Sequence, residues 1–223
     1  MDAPARTRVK ICCIQDVDEA WMAVRAGADA LGLVSAMPSG PGVIAEELIR
    51  EIATAVPPPV ATFLLTSKTD PVEIAAQHGR CGTTAIQLVD RLAPGAHRRL
   101  RAALPGVRLV QVVHVTGPES IREAREAAEE VDAVLLDSGN PALAVKELGG
   151  TGRTHDWALS ARIRVALTVP VFLAGGLRPE NAAAAVREVR PFALDVCSGV
   201  RAAGRLDPAK LKAFFAAVAV PRP

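Results

Sequence analysis

Short apolar runs recur along the whole chain, and each is followed by a stretch rich in Ala, Glu and Arg that is typical of a helix. The predicted strands are Val9–Cys13, Ala30–Val34, Val60–Leu65, Thr84–Leu88, Leu109–Val113, Ala133–Asp137, Val169–Ala174 and Ala193–Cys197. Parallel strands need a crossover of this length, usually a helix. Eight such units predict an α/β fold, the (β/α)8 or TIM barrel. An open doubly wound sheet is the alternative if the weaker runs, the fourth especially, are not strands.

The length of the chain fits one barrel. It has 223 residues, of which 50% are hydrophobic, and a barrel of this type takes about 250 residues, from about 200 upwards. The prolines at 57–59 are interpreted as a rigid connector into the third strand, and no domain boundary is evident. We therefore predict an N-terminal tail at residues 1–8 and a single barrel domain at residues 9–220.

Three helices have clear end signals. Asp18–Ala26 begins with acidic residues and is followed by Gly27, Pro118–Glu130 carries a glutamate early, and Pro179–Val189 opens with proline. Acidic residues and proline favour a helix N-terminus, and glycine favours the position after its C-terminus. These segments are predicted to lie on the outside of the barrel, between strands.

The charge balance excludes several classes of partner. The net charge is +2, from 26 basic and 24 acidic residues, and aromatic residues make up 3%. Such a balance gives no electrostatic argument for binding to nucleic acid or to an anionic membrane, and few rings are available for base stacking. No apolar run approaches the length of a membrane span, of about 18 residues, and residues 1–8 do not resemble a signal peptide. We expect small molecules as partners.

Cysteine usage indicates a reducing compartment. The four cysteines include an adjacent pair, and no CxxC spacing is present. That spacing is the usual sign of a zinc site or a redox pair. We therefore expect free thiols, no metal site and a cytoplasmic location.

Polar and glycine residues gather where the predicted strands end, which is where barrels of this kind carry their chemistry. Cys12 ends the first strand and Asp137 ends the sixth. Gly175–Gly176 follows the seventh strand, and Ser198–Gly199 follows the eighth. Glycine lets an anion approach backbone N–H groups, and barrels bind phosphate after strands seven and eight. Two such turns indicate a phosphate site, although each alone could be an ordinary tight turn.

A set of motifs, in the same order along the chain, resembles the phosphoribosylanthranilate isomerase family. The motifs are Lys-Ile-Cys at 10–12, Leu-Leu-Asp-Ser at 135–138, Gly-Gly-Thr-Gly at 149–152 with Asp-Trp at 156–157, Leu-Ala-Gly-Gly-Leu-x-Pro-x-Asn at 173–181, and Asp-Val-x-Ser-Gly-Val at 195–200. The resemblance therefore covers the whole predicted barrel. It is specific because the motifs occur together, since none of them identifies the family alone.

The resemblance implies an Amadori rearrangement in tryptophan biosynthesis, in which N-(5-phosphoribosyl)anthranilate becomes 1-(2-carboxyphenylamino)-1-deoxyribulose 5-phosphate without a metal or organic cofactor. It makes Cys12 the general base and Asp137 the general acid. The substrate is a small phosphoribosyl compound, and the protein is expected to be a monomer or a homodimer. The residues that the resemblance places against the substrate phosphate are Gly150, Gly152, Gly175, Gly176, Ser198 and Gly199.

The residue types suit that reaction. One group must protonate the ribose ring oxygen, and another must remove the proton from C2′ of the resulting iminium. Burial of Asp137 would favour its protonated form by raising its pKa. Without the motifs, Cys12 would be interpreted as a small buried hydrophobic residue and Asp137 as a helix cap.

Strand alternation predicts support for Cys12. Lys10 shares a strand face with Cys12, and Asp195 lies on the eighth strand, which closes the barrel against the first. We predict an ion pair between Lys10 and Asp195 beneath Cys12. In the alternative, Lys10 extends to the rim of the barrel. Cys13 is expected to pack outward against a helix. His114 is either a substrate contact or auxiliary acid–base group, or a hydrogen-bonded core histidine.

The sequence departs from the family at three places. Cys13 replaces the usual glycine, Gln87–Asp90 replaces Gln-Leu-His-Gly, and the second loop lacks the arginine of the family's Ser-Pro-Arg, which anchors the anthranilate carboxylate. The aglycone loop here carries Ser39, Gly40 and Gly42. This loss leaves open a related isomerase of another N-substituted phosphoribosylamine, and a catalytically silent sugar-phosphate-binding barrel is the third hypothesis. An arginine placed at Gly42 is expected to restore the anchor.

Overall fold

The computed structural model describes residues 6–139 and 154–219. Eight strands alternate with eight helices in the described ranges, and a short hairpin precedes the last helix. The strands are β1 (Arg8–Ile11), β2 (Ala30–Val34), β3 (Ala61–Thr66), β4 (Ala85–Leu88), β5 (Arg108–His114), β6 (Ala133–Asp137), β7 (Val171–Leu173) and β8 (Ala193–Val196), with β9 (Arg201–Ala202) and β10 (Arg205–Leu206) in the hairpin. The helices are α1 (Val17–Ala26), α2 (Glu46–Ala55), α3 (Pro71–Cys81), α4 (Ala96–Ala103), α5 (Ser120–Ala128), α6 (Trp157–Ala166), α7 (Pro179–Val189) and α8 (Pro208–Val218).

The strands close into a parallel barrel in chain order, with β8 paired to β1. The predicted barrel is therefore confirmed, including its fourth strand, and the open-sheet alternative is wrong. The closing register sets Lys10 opposite Asp195. The predicted bounds differ from the observed ones by only a few residues at strand ends. The predicted limits of tail and domain, at 1–8 and 9–220, stay a prediction.

Side chains of the strands alternate between two apolar layers, as the pleat of a strand requires. One layer packs between the barrel and its helices, with Leu31, Leu33, Leu64 and Ile86 fully buried in it. The other fills the inside of the barrel. The buried hydrophobic residues of this inner layer are Cys12, Cys13, Ala30, Val34, Phe63, Leu65, Ala85, Val89, Val110, Val112, Ala133, Leu135, Phe172, Ala174 and Ala193.

Helix ends follow the sequence signals. The Asp16 side chain accepts a hydrogen bond from the Glu19 N–H and begins α1, and Gly27 ends it in the left-handed conformation. α7 has the predicted bounds, with Pro179 in its first turn. α5 is shorter at both ends than the predicted 118–130. Each helix returns the chain to the amino end of the next strand, so the carboxyl ends of all eight strands face one rim.

Within residues 6–139 and 154–219, no helix has the length and apolar character needed to cross a membrane.

Candidate active site

The carboxyl ends of the strands surround a cavity, and small-molecule sites in this fold lie in the same place. The predicted site residues that line it are Cys12, Ser39, Gly40, Asp137, Gly175, Gly176, Asp195 and Ser198. Gly42 packs beside the cavity against Cys13, and Gly199 packs against Leu177. The predicted phosphate residues Gly150 and Gly152 lie outside the described residues.

Cys12 follows β1 directly, and its side chain points into the barrel over Gly32 of β2. A Cβ atom on Gly32 would lie 2.7 Å from the Cys12 Sγ and 2.9 Å from the Lys10 Nζ. Both distances are closer than packed atoms tolerate, so any larger residue at position 32 would displace the two side chains. The backbone N–H of Cys12 donates to the Val196 carbonyl at 2.8 Å, which continues the β1–β8 ladder to this residue.

Lys10 and Asp195 form the predicted ion pair. The Lys10 Nζ donates to both carboxylate oxygens of Asp195 at 2.9 Å, and the lysine side chain is fully buried. The alternative, in which Lys10 extends to the rim, is therefore wrong. Burial by itself lowers the pKa of Lys10, but the charges of Asp195 and Cys12 outweigh it and raise that pKa above its usual value. The lysine is thus a fixed cation close to Cys12.

Asp137 ends β6 with 8% of its surface exposed. Its Oδ1 accepts a hydrogen bond from the Ser138 N–H at 2.7 Å. Burial raises the pKa of Asp137 to about 6, although this hydrogen bond opposes the rise. Burial therefore raises the pKa of this carboxyl group as expected, and the group can exchange a proton near neutral pH.

The glycine turns after β7 and β8 touch each other. Gly175 and Gly176 have φ angles of 83° and 58°, a region that side chains disfavour. Asn181 fixes this turn, because its Nδ2 donates to the Gly176 carbonyl at 2.9 Å. A Cβ atom on Gly199 would collide with the Leu177 carbonyl oxygen. The two turns therefore form one wall of the cavity, and that wall is largely backbone.

The loop after β2 covers another side of the cavity. It closes through a bridge between Val34 and Val43. Gly42 has a φ of 77°, and a Cβ atom there would lie 2.5 Å from the Cβ of Cys13. The expectation that an arginine at Gly42 would restore the anchor is therefore wrong, because this position has neither the space nor the backbone conformation. Ser39 lines the cavity without a positive φ and is the better place for a side chain.

Cys13 does not pack outward as expected. It lines the cavity with a φ of 62°, and its Sγ lies 2.7 Å from the Sγ of Cys197. The strand ends at Ile11, so the inside–outside alternation no longer applies two residues later. The left-handed conformation also explains why glycine suits this position.

A buried ion pair that sequence analysis missed holds the first turn in place. Arg201 donates to the backbone carbonyls of Cys12 and Cys13 and to both carboxylate oxygens of Glu19, the latter at 3.1 Å. Glu19 also accepts from the Leu206 N–H at 2.9 Å. The partners are far apart along the chain, so no local pattern indicates the contact.

Gln87 of β4 and His114 of β5 are buried, and each has polar side-chain atoms that make no hydrogen bond. Among the described residues, Gln87 Oε1 and both ring nitrogens of His114 have no hydrogen-bond partner. Burial lowers the pKa of His114, and the Val89 backbone only partly opposes this. A hydrogen-bonded core histidine is therefore wrong. Alternation along β4 and β5 directs both side chains to the inside of the barrel, a signal that could have identified Gln87 from the sequence.

In the part of the chain that the structure describes, no group of three or more His, Cys, Asp or Glu side chains could hold a metal ion.

Comparisons with known proteins agree with each other. The profile of the N-(5'-phosphoribosyl)anthranilate (PRA) isomerase family matches residues 9–217. An N-(5'-phosphoribosyl)anthranilate isomerase of Methanocella arvoryzae is 36% identical over 209 residues, which cover 94% of this chain and 96% of the relative. The phosphoribosyl anthranilate isomerase of Thermotoga maritima superposes with a TM-score of 0.82 at 31% identity, covering 95% and 98% of the two chains.

A further solved structure is similar to this chain and contains a ligand. It is a phosphoribosyl anthranilate isomerase in complex with reduced 1-(o-carboxyphenylamino)-1-deoxyribulose 5-phosphate. It superposes with a TM-score of 0.79 at 30% identity, and the match covers 95% of this chain and 98% of that one.

Proposed function

The chain belongs to the N-(5'-phosphoribosyl)anthranilate isomerase family, and we propose that Cys12 and Asp137 are the general base and general acid of its reaction. The protein is an isomerase of tryptophan biosynthesis, which converts N-(5-phosphoribosyl)anthranilate to 1-(2-carboxyphenylamino)-1-deoxyribulose 5-phosphate. The observation that carries the assignment is that Cys12 and Asp137 line one cavity with the two glycine turns.

Asp137 supplies the proton that opens the sugar ring. Protonation of the ribose ring oxygen breaks its bond to C1′, and the lone pair of the anthranilate nitrogen forms the C1′=N bond of an iminium. A carboxyl group with a pKa of about 6 keeps its proton on about a tenth of the molecules at pH 7. Its low exposure supports this role, because a solvated aspartate would carry far less of the acid form.

Cys12 removes the proton from C2′ of the iminium. The thiolate is the reactive form of cysteine, and the ammonium of Lys10 supplies positive charge next to it. Loss of the C2′ proton gives an enolamine, which tautomerises to the aminoketose product. Asp195 keeps Lys10 in place through the buried ion pair, so that both are supporting rather than catalytic residues.

The substrate phosphate binds at the wall formed by Gly175, Gly176, Ser198 and Gly199. Backbone N–H groups at glycine turns suit an anion, because no side chain keeps it at a distance. Phosphate sites after strands seven and eight are typical of this fold. Gly150 and Gly152 are proposed as further phosphate contacts, from the resemblance alone.

The aglycone is held by the loop that contains Ser39, Gly40 and Gly42. This loop carries no arginine, which favours a second, broader activity on phosphoribosylamines whose aromatic ring lacks a carboxylate. Gln87 lines the cavity and supplies a buried oxygen that a substrate can satisfy, since burial without a partner costs about 1–3 kcal/mol per group.

The proposed mechanism requires no metal or organic cofactor, because side chains supply both proton transfers. We expect activity to survive dialysis against EDTA. The protein is proposed to act in the cytoplasm as a monomer or a homodimer, which fractionation and sedimentation would test.

A direct experiment measures the loss of phosphoribosylanthranilate fluorescence with the purified protein. We expect the protein to be active on this substrate, and its rate to be unchanged after EDTA treatment. The matched comparison uses N-phosphoribosylaniline, which lacks the carboxylate. KM values for the two compounds that differ by less than about tenfold support the broader activity. A carboxylate held by an arginine would contribute about 1.5–3 kcal/mol and give a larger difference. A preference of a hundredfold or more for phosphoribosylanthranilate would overturn it.

A further inference from the structure

Two thiols face each other beside the proposed base without taking part in the proton transfers. The Sγ atoms of Cys13 and Cys197 lie 2.7 Å apart and share a hydrogen bond, and both residues line the cavity. We propose that Cys13 and Cys197 form an oxidative modification site, at which a hydroperoxide converts the dithiol reversibly to a disulfide. The site bridges the first turn of the barrel to the end of its last strand.

The geometry brings the two sulfur atoms together through separate elements. Cys13 leaves β1 with a φ of 62°, and Cys197 follows β8 directly. Because β1 and β8 are neighbours in the barrel, the two residues face each other across one strand gap. Arg201 fixes the Cys13 backbone by donating to its carbonyl. The sulfur atoms are therefore held in contact by the fold.

Cys197 is the thiol that reacts first. The hydrogen bond with Cys13 lowers the pKa of Cys197, and the Arg201 guanidinium lowers it further, against the effect of burial. It is partly exposed to solvent. A low pKa, access and a nearby resolving thiol are the properties of oxidant-sensitive cysteines.

The proposed chemistry is balanced with hydrogen peroxide as the oxidant. The Cys197 thiolate attacks one peroxide oxygen, so that an S–O bond forms, the O–O bond breaks and hydroxide leaves. The Cys13 thiol then attacks the oxidised sulfur, so that the S–S bond forms and water leaves. In total two thiols and one peroxide give one disulfide and two waters. A dithiol such as dithiothreitol reverses the step by exchange.

Oxidation should also lower isomerase activity. Cys13 follows Cys12 directly and packs under Gly42 of the aglycone loop, while Cys197 precedes Ser198 of the phosphate wall. A covalent bond between the two thiols thus alters the turns on both sides of the proposed base. This second consequence rests on the proposed function, whereas disulfide formation does not.

The test treats the full-length protein with hydrogen peroxide and counts free thiols after unfolding. We expect a fall from the four thiols of the sequence to two, a mass loss of two hydrogen atoms, and a peptide linking Cys13 to Cys197. Dithiothreitol should restore the thiols and the activity. A protein that keeps all its thiols, or that links Cys12 instead, would overturn the proposal.

Variants distinguish this site from general oxidation. Cys13→Gly removes one partner at a position whose backbone suits glycine, and Cys197→Ser removes the other. Neither should form the disulfide or show a reversible loss of activity. The matched control is Cys81→Ala, because Cys81 is buried in α3 and burial raises its pKa to about 11. This variant should form the disulfide as the unaltered protein does. A reversible loss in Cys13→Gly equal to that of the unaltered protein would also contradict the proposal.

Discussion

The ammonium of Lys10 lies 2.9 Å from both carboxylate oxygens of Asp195, fully buried beneath the cavity. Removing one member of such a pair leaves an unpaired buried charge, which costs about 3–5 kcal/mol, whereas replacing both by apolar residues is often neutral. The effect of replacing either residue therefore depends on whether the other is present. Their contribution to stability is therefore far from additive.

Lys10→Met should lower the free energy of unfolding by about 3–5 kcal/mol, as measured by urea denaturation. Lys10→Met combined with Asp195→Leu should recover much of that loss. The matched control is Lys68→Met, which breaks a surface pair with Glu73 and should cost less than about 1 kcal/mol. Equal costs for Lys10→Met and Lys68→Met would contradict the buried pair.

Asp137 should make the fold less stable as pH rises. Its pKa is about 6 in the folded protein and about 3.9 in an unfolded chain. Between these values the folded state binds more protons, so that stability decreases with increasing pH and the loss is complete above pH 6. The loss amounts to about 2–3 kcal/mol at pH 7, from about 1.4 kcal/mol per pKa unit.

Asp137→Asn removes this titration. The free energy of unfolding of the variant, minus that of the unaltered protein, should rise by about 2–3 kcal/mol between pH 4 and pH 7. Denaturation curves at several pH values measure the difference. A difference that does not change with pH would show that the Asp137 pKa is not raised.

Gly32→Ala should disturb Cys12 and Lys10 together, since the new methyl group would lie within 3 Å of both side chains. We expect a loss of about 1–3 kcal/mol in stability and a fall in kcat. Gly79→Ala is the matched control, because a Cβ atom there meets nothing within 4 Å. In that helix, alanine should be stabilising by up to about 1 kcal/mol. Unchanged kcat in Gly32→Ala would contradict the tight packing around Cys12.

Ser39→Arg should supply the anchor that the aglycone loop lacks. Ser39 lines the cavity without a positive φ. We expect the KM for phosphoribosylanthranilate to fall by about tenfold or more, the effect of a charge-assisted hydrogen bond of about 1.5–3 kcal/mol. Ser39→Gln controls for length without charge, and N-phosphoribosylaniline controls for the carboxylate. The same change in KM with Gln, or with the aniline compound, would rule out a carboxylate anchor at this position.

The fold could be predicted from the sequence because each strand is short, apolar and followed by a helix with clear end signals. The ion pair of Lys10 and Asp195 could also be predicted, because side chains alternate strictly within a strand and closure of the barrel makes β1 and β8 neighbours. The prediction that Cys13 packs outward is wrong because this residue lies beyond the last residue of the strand, where alternation ends. A cysteine in the sequence gives no indication of the φ of 62°, since glycine is the residue that normally adopts this conformation.

Other parts of the site depend on contacts distant along the chain. The pair of Arg201 and Glu19 joins the last hairpin to the first helix, and nothing near either residue indicates the other. The space around Gly42 likewise depends on how a loop packs on Cys13. Contacts of this kind are set by the tertiary packing, so residue types and spacing alone do not predict them.

The most direct test of the acid–base assignment is kcat on phosphoribosylanthranilate for Cys12→Ser and Asp137→Asn, read by loss of substrate fluorescence. Each should lower kcat by about a hundredfold or more, the usual contribution of a general acid or base, with little change in KM. Cys81→Ala should leave both parameters unchanged, and circular dichroism should confirm that all three variants are folded. Near-normal kcat in Cys12→Ser or in Asp137→Asn would contradict the assignment.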